Sequence, residues 1–109
     1  MKDQADTICA LSTPAGRSGL AVVRMSGKRS YDIYKKIFLS KKRQEPPPAR
    51  LAQLGRIVDP SDGSVLDEAM ATCYPSPHSY TGEDMVEISL HGNPILISAL
   101  LDSLCSLGA

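Results

Sequence analysis

The clearest alternation of apolar and polar positions lies in a strand predicted over about Asp84–Leu90. Successive side chains of a strand point to opposite faces, so this segment has two faces of different character. The mostly apolar face, which can lie on a core, consists of Asp84, Val86, Ile88 and Leu90. The other face carries a carboxylate, a hydroxyl and an imidazole, and consists of Met85, Glu87, Ser89 and His91. This polar face is the strongest candidate for chemistry or recognition in the chain.

A second predicted strand, Leu20–Met25, is apolar on both faces. Such a pattern is typical of a central strand that is covered on both sides. Arg24 shares a face with Leu20 and Val22, and a guanidinium near a buried face is costly unless it is paired or reaches solvent. Two interpretations of Arg24 therefore stay open. Either Arg24 forms an internal salt bridge, or its guanidinium binds an anionic or polar ligand.

The remaining periodicity predicts two helices and three further strands. Apolar residues at helical spacing indicate helices over Lys28–Leu39 and Pro94–Leu107, and Asn93 suits the N-cap of the second helix. In the first helix, Tyr34 and Phe38 are predicted to belong to the core rather than to a binding site. This second helix is apolar around so much of its circumference that we expect another subunit or a missing domain to cover it. The further strands are predicted at Thr7–Leu11 and, as a hairpin, at Arg50–Val58 and Val65–Tyr74. The order of elements predicts an α+β fold with a mixed, mostly antiparallel sheet and helices packed on it.

Composition limits the classes of protein that fit. A chain of 109 residues with formal net charge +0 predicts one domain without long-range attraction to nucleic acid or anionic membranes. No apolar run approaches the roughly 20 residues that cross a bilayer, and residues 1–6 lack the apolar stretch that is typical of a signal peptide. The 3 cysteines, without CxxC spacing, argue against a disulfide framework and a zinc site. We predict a cytoplasmic protein.

Neither a metal site nor a catalytic centre is predicted. Glu83, Asp84 and Glu87 lie near His91, and paired carboxylates can perform acid–base chemistry or hold a metal. Asp84 and Glu87, however, fall on opposite faces of the predicted strand. His91 is interpreted as a strand-end residue that bonds to nearby backbone. No nucleophile elbow is evident, and the cysteines lie in predicted secondary structure rather than in a reactive setting.

What remains is the pair formed by Arg24 and Glu87, which carry opposite charges on internal strands. The two side chains could neutralise each other, or both could face a ligand that carries amide and carboxylate groups. A carboxylate accepts two hydrogen bonds from an aminopyrimidine-like edge, and an arginine holds an anionic or carbonyl group.

Two motifs resemble the MnmE (TrmE) family of tRNA-modification GTPases. The first is TPAGRSGLAVVRMSG at residues 13–27, preceded by DTI at 6–8. The second combines SYTGEDMVE at 79–87 with LHGNP at 90–94, and the residues between the motifs also match in spacing. The resemblance covers the whole chain. Two departures, Ala15 and Ser18, stand where the family commonly has proline and glycine.

The resemblance implies that residues 1–109 are an N-terminal, tetrahydrofolate-binding and dimerisation domain. Its fold is expected to be similar to the folate-binding domain of aminomethyltransferases. The helical domain and the G domain, which holds GTP, magnesium and potassium, are absent from this chain. The chain alone is therefore expected to be non-catalytic, whereas the parent protein is expected to hydrolyse GTP.

The family also implies a cofactor, partners and a product. A 5-formyl-tetrahydrofolate in this domain is the expected one-carbon source. With the flavoprotein MnmG, the homodimer is expected to install a carboxymethylaminomethyl-type group on C5 of the wobble uridine of certain tRNAs. Arg24 and Glu87 match the folate-contacting arginine and glutamate of the family, and further contacts are expected beyond Ala109. The alternative is a purely structural dimerisation domain in which Arg24 and Glu87 form a buried ion pair.

Overall fold

One antiparallel sheet organises the part of the chain that the computed structural model describes, residues 6–13, 18–42 and 46–109. Six strands and two helices lie in these ranges: β1 (Ile8–Leu11), β2 (Ser18–Ser26), α1 (Ser30–Ile37), β3 (Phe38–Ser40), β4 (Gln53–Val58), β5 (Val65–Tyr74), β6 (Met85–Gly92) and α2 (Pro94–Ser106). The strand order is β1-β2-β6-β5-β4-β3, and each neighbouring pair is antiparallel. The predicted α+β class with a mostly antiparallel sheet is confirmed.

Both helices pack on the same face of the sheet, where they form a single hydrophobic core. Ile33 and Ile37 of α1 and Leu100 and Leu104 of α2 are fully buried there. The sheet contributes alternate residues of its strands: Ala21, Val23, Met25, Ala69, Ala71, Cys73, Val86, Ile88 and Leu90. This alternation confirms the apolar face predicted for β6, and we call this side of the sheet the covered face.

The opposite side of the sheet, here called the open face, carries exposed apolar residues. The prediction that β2 is covered on both sides is therefore wrong. This strand was expected to be covered on both sides, yet Leu20 is 66% exposed. Met70 on β5 and Leu54 on β4 lie on the same face and are 39% and 47% exposed. Apolar side chains favour strands through contacts with cross-strand neighbours as well as through burial. A strand that is apolar on both faces therefore does not need a packed layer on each side.

The first helix is shorter than predicted at both ends. Helix α1 covers only Ser30–Ile37 of the predicted range Lys28–Leu39. It ends at Ile37 because Phe38 adopts an extended backbone and starts β3. Phe38 then pairs with Ile57 of β4. Gly55 permits this approach, because a Cβ atom there would lie 2.4 Å from the Leu39 carbonyl oxygen and 2.7 Å from the Phe38 ring. The prediction that Tyr34 and Phe38 belong to the core is confirmed, and their rings stack with centroids 5.4 Å apart.

Strand β4 also begins later than predicted. Arg50 has a φ of 56°, which lies in the left-handed region and interrupts an extended chain. The strand therefore starts at Gln53 rather than at Arg50. The rest of the predicted hairpin with β5 is confirmed.

Helix α2 begins and ends as its sequence predicts. The Asn93 side chain accepts hydrogen bonds from the backbone N–H groups of Ile95, at 2.8 Å, and Leu96, at 3.4 Å. Gly108 adopts a φ of 116° just past the helix, a conformation that glycine takes at low cost. Ile95 is 76% exposed, and the expected cover by another subunit or domain stays a prediction. In the described residues, no helix has the length and apolarity needed to cross a membrane.

The first family-like motif, at residues 13–27, lies partly outside the described residues. Residues 14–17 of this motif, which include Ala15, are not described, and neither are residues 43–45 between β3 and β4.

Candidate functional site

The pairing of β2 with β6 brings Arg24 and Glu87 opposite each other, although 63 positions separate them in the sequence. The Arg24 Nε donates a hydrogen bond to the Glu87 Oε2 at 2.6 Å, which is a short, charge-assisted contact. Both side chains belong to the open face of the sheet. The sequence prediction that Arg24 and Glu87 form a pair is therefore confirmed in the structure.

A third strand adds a hydroxyl group to this pair. The Tyr74 hydroxyl on β5 donates to the second carboxylate oxygen of Glu87, Oε1, at 3.2 Å. Burial, and then the negative charge of Glu87, raises the pKa of Tyr74. The phenol therefore stays protonated at neutral pH and remains a donor to the carboxylate. Glu87 is thus held from both sides by side chains of neighbouring strands.

An aromatic ring lies against the guanidinium. The Cζ atom of Arg24 is 5.4 Å from the centroid of the Tyr80 ring, within the range of a cation–π interaction. Tyr80 belongs to the loop at 75–84, and it is 85% exposed. We call Arg24, Glu87, Tyr74 and Tyr80 the open-face cluster.

The loop that carries Tyr80 is tied to the end of β2. The Ser26 hydroxyl contacts the Thr81 hydroxyl at 2.7 Å and donates to Glu83 Oε1 at 2.9 Å. The Asp84 carboxylate accepts from the backbone N–H of Ser76 at 2.8 Å. Glu83 and Asp84 therefore hold the loop in place through these contacts, and they do not join Glu87.

His91 has a different partner from the one expected. Sequence reasoning predicted a bond to nearby backbone, but the ring Nδ1 lies 2.9 Å from both carboxylate oxygens of Asp67. The backbone N–H of His91 also donates to Asp67 Oδ2 at 3.0 Å. The prediction was wrong because the contact between Asp67 on β5 and His91 on β6 depends on the tertiary pairing of strands. The local sequence around His91 does not show that pairing. Within the described ranges, no group of three or more His, Cys, Asp or Glu side chains is placed to hold a metal ion.

The exposure of the pair limits what it can do for stability. The side chains of Arg24 and Glu87 are 42% and 22% exposed, so the ion pair is partly buried rather than fully buried. Solvent screens such a pair, and its net contribution to folding is about 0–1 kcal/mol. A partly exposed guanidinium and carboxylate on an open sheet face are instead well placed to exchange hydrogen bonds with a ligand.

Two members of the open-face cluster were missed from the sequence. Tyr74 lies on the open face of β5 with Met70 and Thr72. Its contact with Glu87 could not be found, because the β5–β6 register is set by the whole sheet. Tyr80 lies in a loop, and the spacing of residues in a loop does not predict where a side chain points.

The chain is similar to a known family and to many curated proteins. The family described as GTP-binding protein TrmE N-terminus matches residues 7–109. Proteins named tRNA modification GTPase MnmE are 46% identical in Acinetobacter baumannii over 103 residues and 43% identical in Aquifex aeolicus over 104 residues. These matches cover 94% and 95% of this chain, but only 22% of each relative. The chain thus spans about a fifth of the length of the relatives it matches.

Proposed function

The chain belongs to the family of the GTP-binding protein TrmE N-terminus, and on that premise we propose that it is the folate-binding, dimerising module of a tRNA-modification GTPase. The relatives are named as tRNA modification GTPases. The observation that carries the folate part of the proposal is the partly exposed pair of Arg24 and Glu87 on the open face.

The donors and acceptors of the open-face cluster fit a formyl-tetrahydrofolate. The Glu87 carboxylate is acceptor-only, and the aminopyrimidine edge of a folate supplies N–H donors. Arg24 presents a guanidinium with five N–H donors, and Nε contacts Glu87. The carbonyl and carboxylate groups of a folate are suitable acceptors for the remaining donors. The exposed Tyr80 ring offers a planar surface of the kind that a fused heterocycle stacks on.

The chemistry of modification belongs to the larger assembly. A bound formyl-tetrahydrofolate supplies a one-carbon group, and Arg24 and Glu87 bind and orient the molecule. We further propose that the parent protein acts as a homodimer with the flavoprotein MnmG on the wobble uridine of certain tRNAs. GTP, magnesium and potassium are assigned to a G domain elsewhere in the parent protein.

Calorimetric titration with 5-formyl-tetrahydrofolate tests the role of Glu87. We expect Glu87→Gln to weaken binding at least about tenfold, because a neutral amide replaces a charged acceptor in a charge-assisted contact. Glu68→Gln is the matched control. Glu68 is another carboxylate of the open face, opposite Arg56 in the β4–β5 pairing, and it lies outside the open-face cluster.

Two outcomes contradict the folate proposal. One is equal weakening by Glu68→Gln and Glu87→Gln, which shows a nonspecific charge effect. The other is the absence of saturable heat both with this chain and with a full-length relative. Because this chain spans only 22% of each such relative, the relative separates an incomplete site from a wrong assignment.

The homodimer is supported by a different observation, the apolar row across the open face. Leu20, Met70 and Leu54 lie on three strands of this face and are 66%, 39% and 47% exposed. Exposed apolar side chains gathered on one surface are typical of protein interfaces. We expect Leu54→Asp to lower self-association in analytical ultracentrifugation. Val65→Asp is the control, because Val65 is 54% exposed at the start of β5 and lies outside this row. Unchanged association in Leu54→Asp, or a monomeric unsubstituted chain at high concentration, contradicts a dimer through this row.

A further inference from the structure

The first strand and the last turn of the second helix bring two cysteines together. Cys9 lies on β1 and Cys105 lies near the end of α2, and their Sγ atoms are 4.0 Å apart. The two residues are 96 positions apart in the sequence, so the tertiary fold alone creates the contact. Cys73, the third cysteine, is buried in the core on β5. All three are free thiols in this structure.

The two neighbouring thiols differ in accessibility. Cys105 is exposed, whereas Cys9 is half-buried and packs against the core cluster. A disulfide bond is about 2.05 Å long, so the sulfurs need to approach by roughly 2 Å. Cys105 occupies the last turn of α2, where helix ends commonly fray. The pair therefore meets two requirements of a reversible disulfide: sulfurs already in contact, and one partner that an oxidant can reach.

We propose that Cys9 and Cys105 form a redox-modification site that closes as an intramolecular disulfide by exchange with a small-molecule disulfide of the glutathione type. The thiolate of Cys105 attacks one sulfur of the oxidised glutathione, whose S–S bond breaks and releases one glutathione thiolate. The thiolate of Cys9 then attacks the Cys105 sulfur of the mixed disulfide and displaces the second glutathione. The protein loses two electrons and two thiol protons, and the two glutathione thiols gain them.

The order of these steps follows from the surroundings of each sulfur. The thiolate is the nucleophile in disulfide exchange, so the thiol that ionises and is accessible attacks first. Burial, and then the neighbouring Cys105, raises the pKa of Cys9 to about 11. Cys9 is therefore a poor first nucleophile, and its role is to resolve a mixed disulfide that forms on Cys105.

The closed disulfide joins the edge of the sheet to the helical layer. β1 is an edge strand that pairs with β2, and Ala10 lies opposite Arg24 in that pairing. The bond ties this edge to α2 and closes a loop of nearly the whole chain, which restricts the unfolded state. Oxidation is therefore expected to raise the melting temperature and to fix the strand next to Arg24. This inference does not depend on folate binding.

Incubation of the purified chain with oxidised glutathione, followed by intact mass and peptide mapping, tests the site. We expect a loss of two hydrogens, a cross-linked peptide pair containing Cys9 and Cys105, and a free thiol on Cys73. The melting temperature should rise by about 5 °C or more and return when dithiothreitol is added. Cys9→Ser should instead accumulate a stable glutathione adduct on Cys105 without the rise.

Cys73→Ala is the control, because it removes a thiol from the core and leaves the Cys9–Cys105 pair intact. It should still form the disulfide and show the same rise above its own reduced melting temperature. The proposal is overturned if the unsubstituted chain keeps a persistent glutathione adduct on Cys105. It is also overturned if oxidation joins two chains through Cys105 rather than Cys9 to Cys105.

Discussion

The two faces of the sheet carry similar apolar residues, but these residues are buried on one face and exposed on the other. On the covered face, residues such as Val23, Ile88 and Leu100 are at most 1% exposed and form the core with the helices. On the open face, Leu20 and Leu54 remain about half or more exposed beside the charged pair of Arg24 and Glu87. The same strand alternation thus separates residues that stabilise the fold from residues that are available for recognition.

This difference shows why a charged pair on a sheet needs its surroundings before it can be interpreted. A fully buried pair is costly to break, because the remaining charge stays uncompensated in a medium of low dielectric. The pair on the open face is partly exposed, at 42% for Arg24 and 22% for Glu87, so removing one partner lets water reach the other. Its position favours a role in binding over a role in stability.

The largest expected effect compares the same truncation on the two faces. Leu100→Ala on the covered face removes a side chain with 0% exposure and should lower the free energy of unfolding by about 2–5 kcal/mol. Leu20→Ala on the open face, at 66% exposure, should change it by less than about 0.5 kcal/mol at concentrations where the chain is monomeric. Urea unfolding of the reduced protein at such concentrations measures both values. Similar losses in the two variants under these conditions would contradict the exposure of Leu20 in the monomer.

A smaller effect concerns the thiol of the covered face at alkaline pH. Burial, and then the negative charge of Asp84, raises the pKa of Cys73 from 9.0 to about 12. The folded state keeps its proton while the unfolded state loses it, so this contribution to stability is present below pH 9 and is lost between pH 9 and 12.

Urea unfolding at several alkaline pH values measures this loss. The free energy of unfolding of Cys73→Ala should fall less steeply with rising pH than that of the unsubstituted chain. The two slopes should differ by up to about 1.4 kcal/mol per pH unit. Tyr31, whose pKa burial also raises to about 12, is present in both proteins and cancels in the difference. Parallel curves for the two proteins would contradict the burial of the thiol.

The smallest expected effect is on the charged pair itself. Glu87→Gln should lower the free energy of unfolding by about 0–1 kcal/mol, because the pair is partly exposed and screened. A double-mutant cycle with Arg24→Met in urea unfolding isolates the coupling between the two side chains. A loss of about 3–5 kcal/mol would restore the alternative of a structural, buried ion pair.

Local sequence signals predicted the parts of the fold that depend on local physics. The alternation of β6, the N-cap of α2 at Asn93 and the core positions of Tyr34 and Phe38 follow from side-chain period and capping chemistry. The end of α1 was missed, because Phe38 and Leu39 continue the helical spacing while their pairing with β4 makes them a strand.

The candidate site was predicted less completely than the fold. Arg24 and Glu87 were singled out by their charge on otherwise apolar strands, and the family resemblance indicated the kind of ligand. Tyr74 and Tyr80 depend on sheet register and loop direction, which a periodic pattern does not contain. The exposure of the open face also could not be read from the sequence, since β2 is apolar on both sides.

The strand order has a consequence for how the chain acquires its structure during synthesis. β3, β4, β5 and β6 are neighbours in sequence order, whereas β2 pairs across to β6, the last of these strands in the described ranges. Local hairpins close early, and pairing between distant segments is slow because a long loop must be ordered first. Until residue 92 has emerged from the ribosome, the edge of β2 that pairs with β6 has no partner, and Arg24 has no contact with Glu87. The nascent domain is therefore most exposed to misassociation just before its sheet is joined.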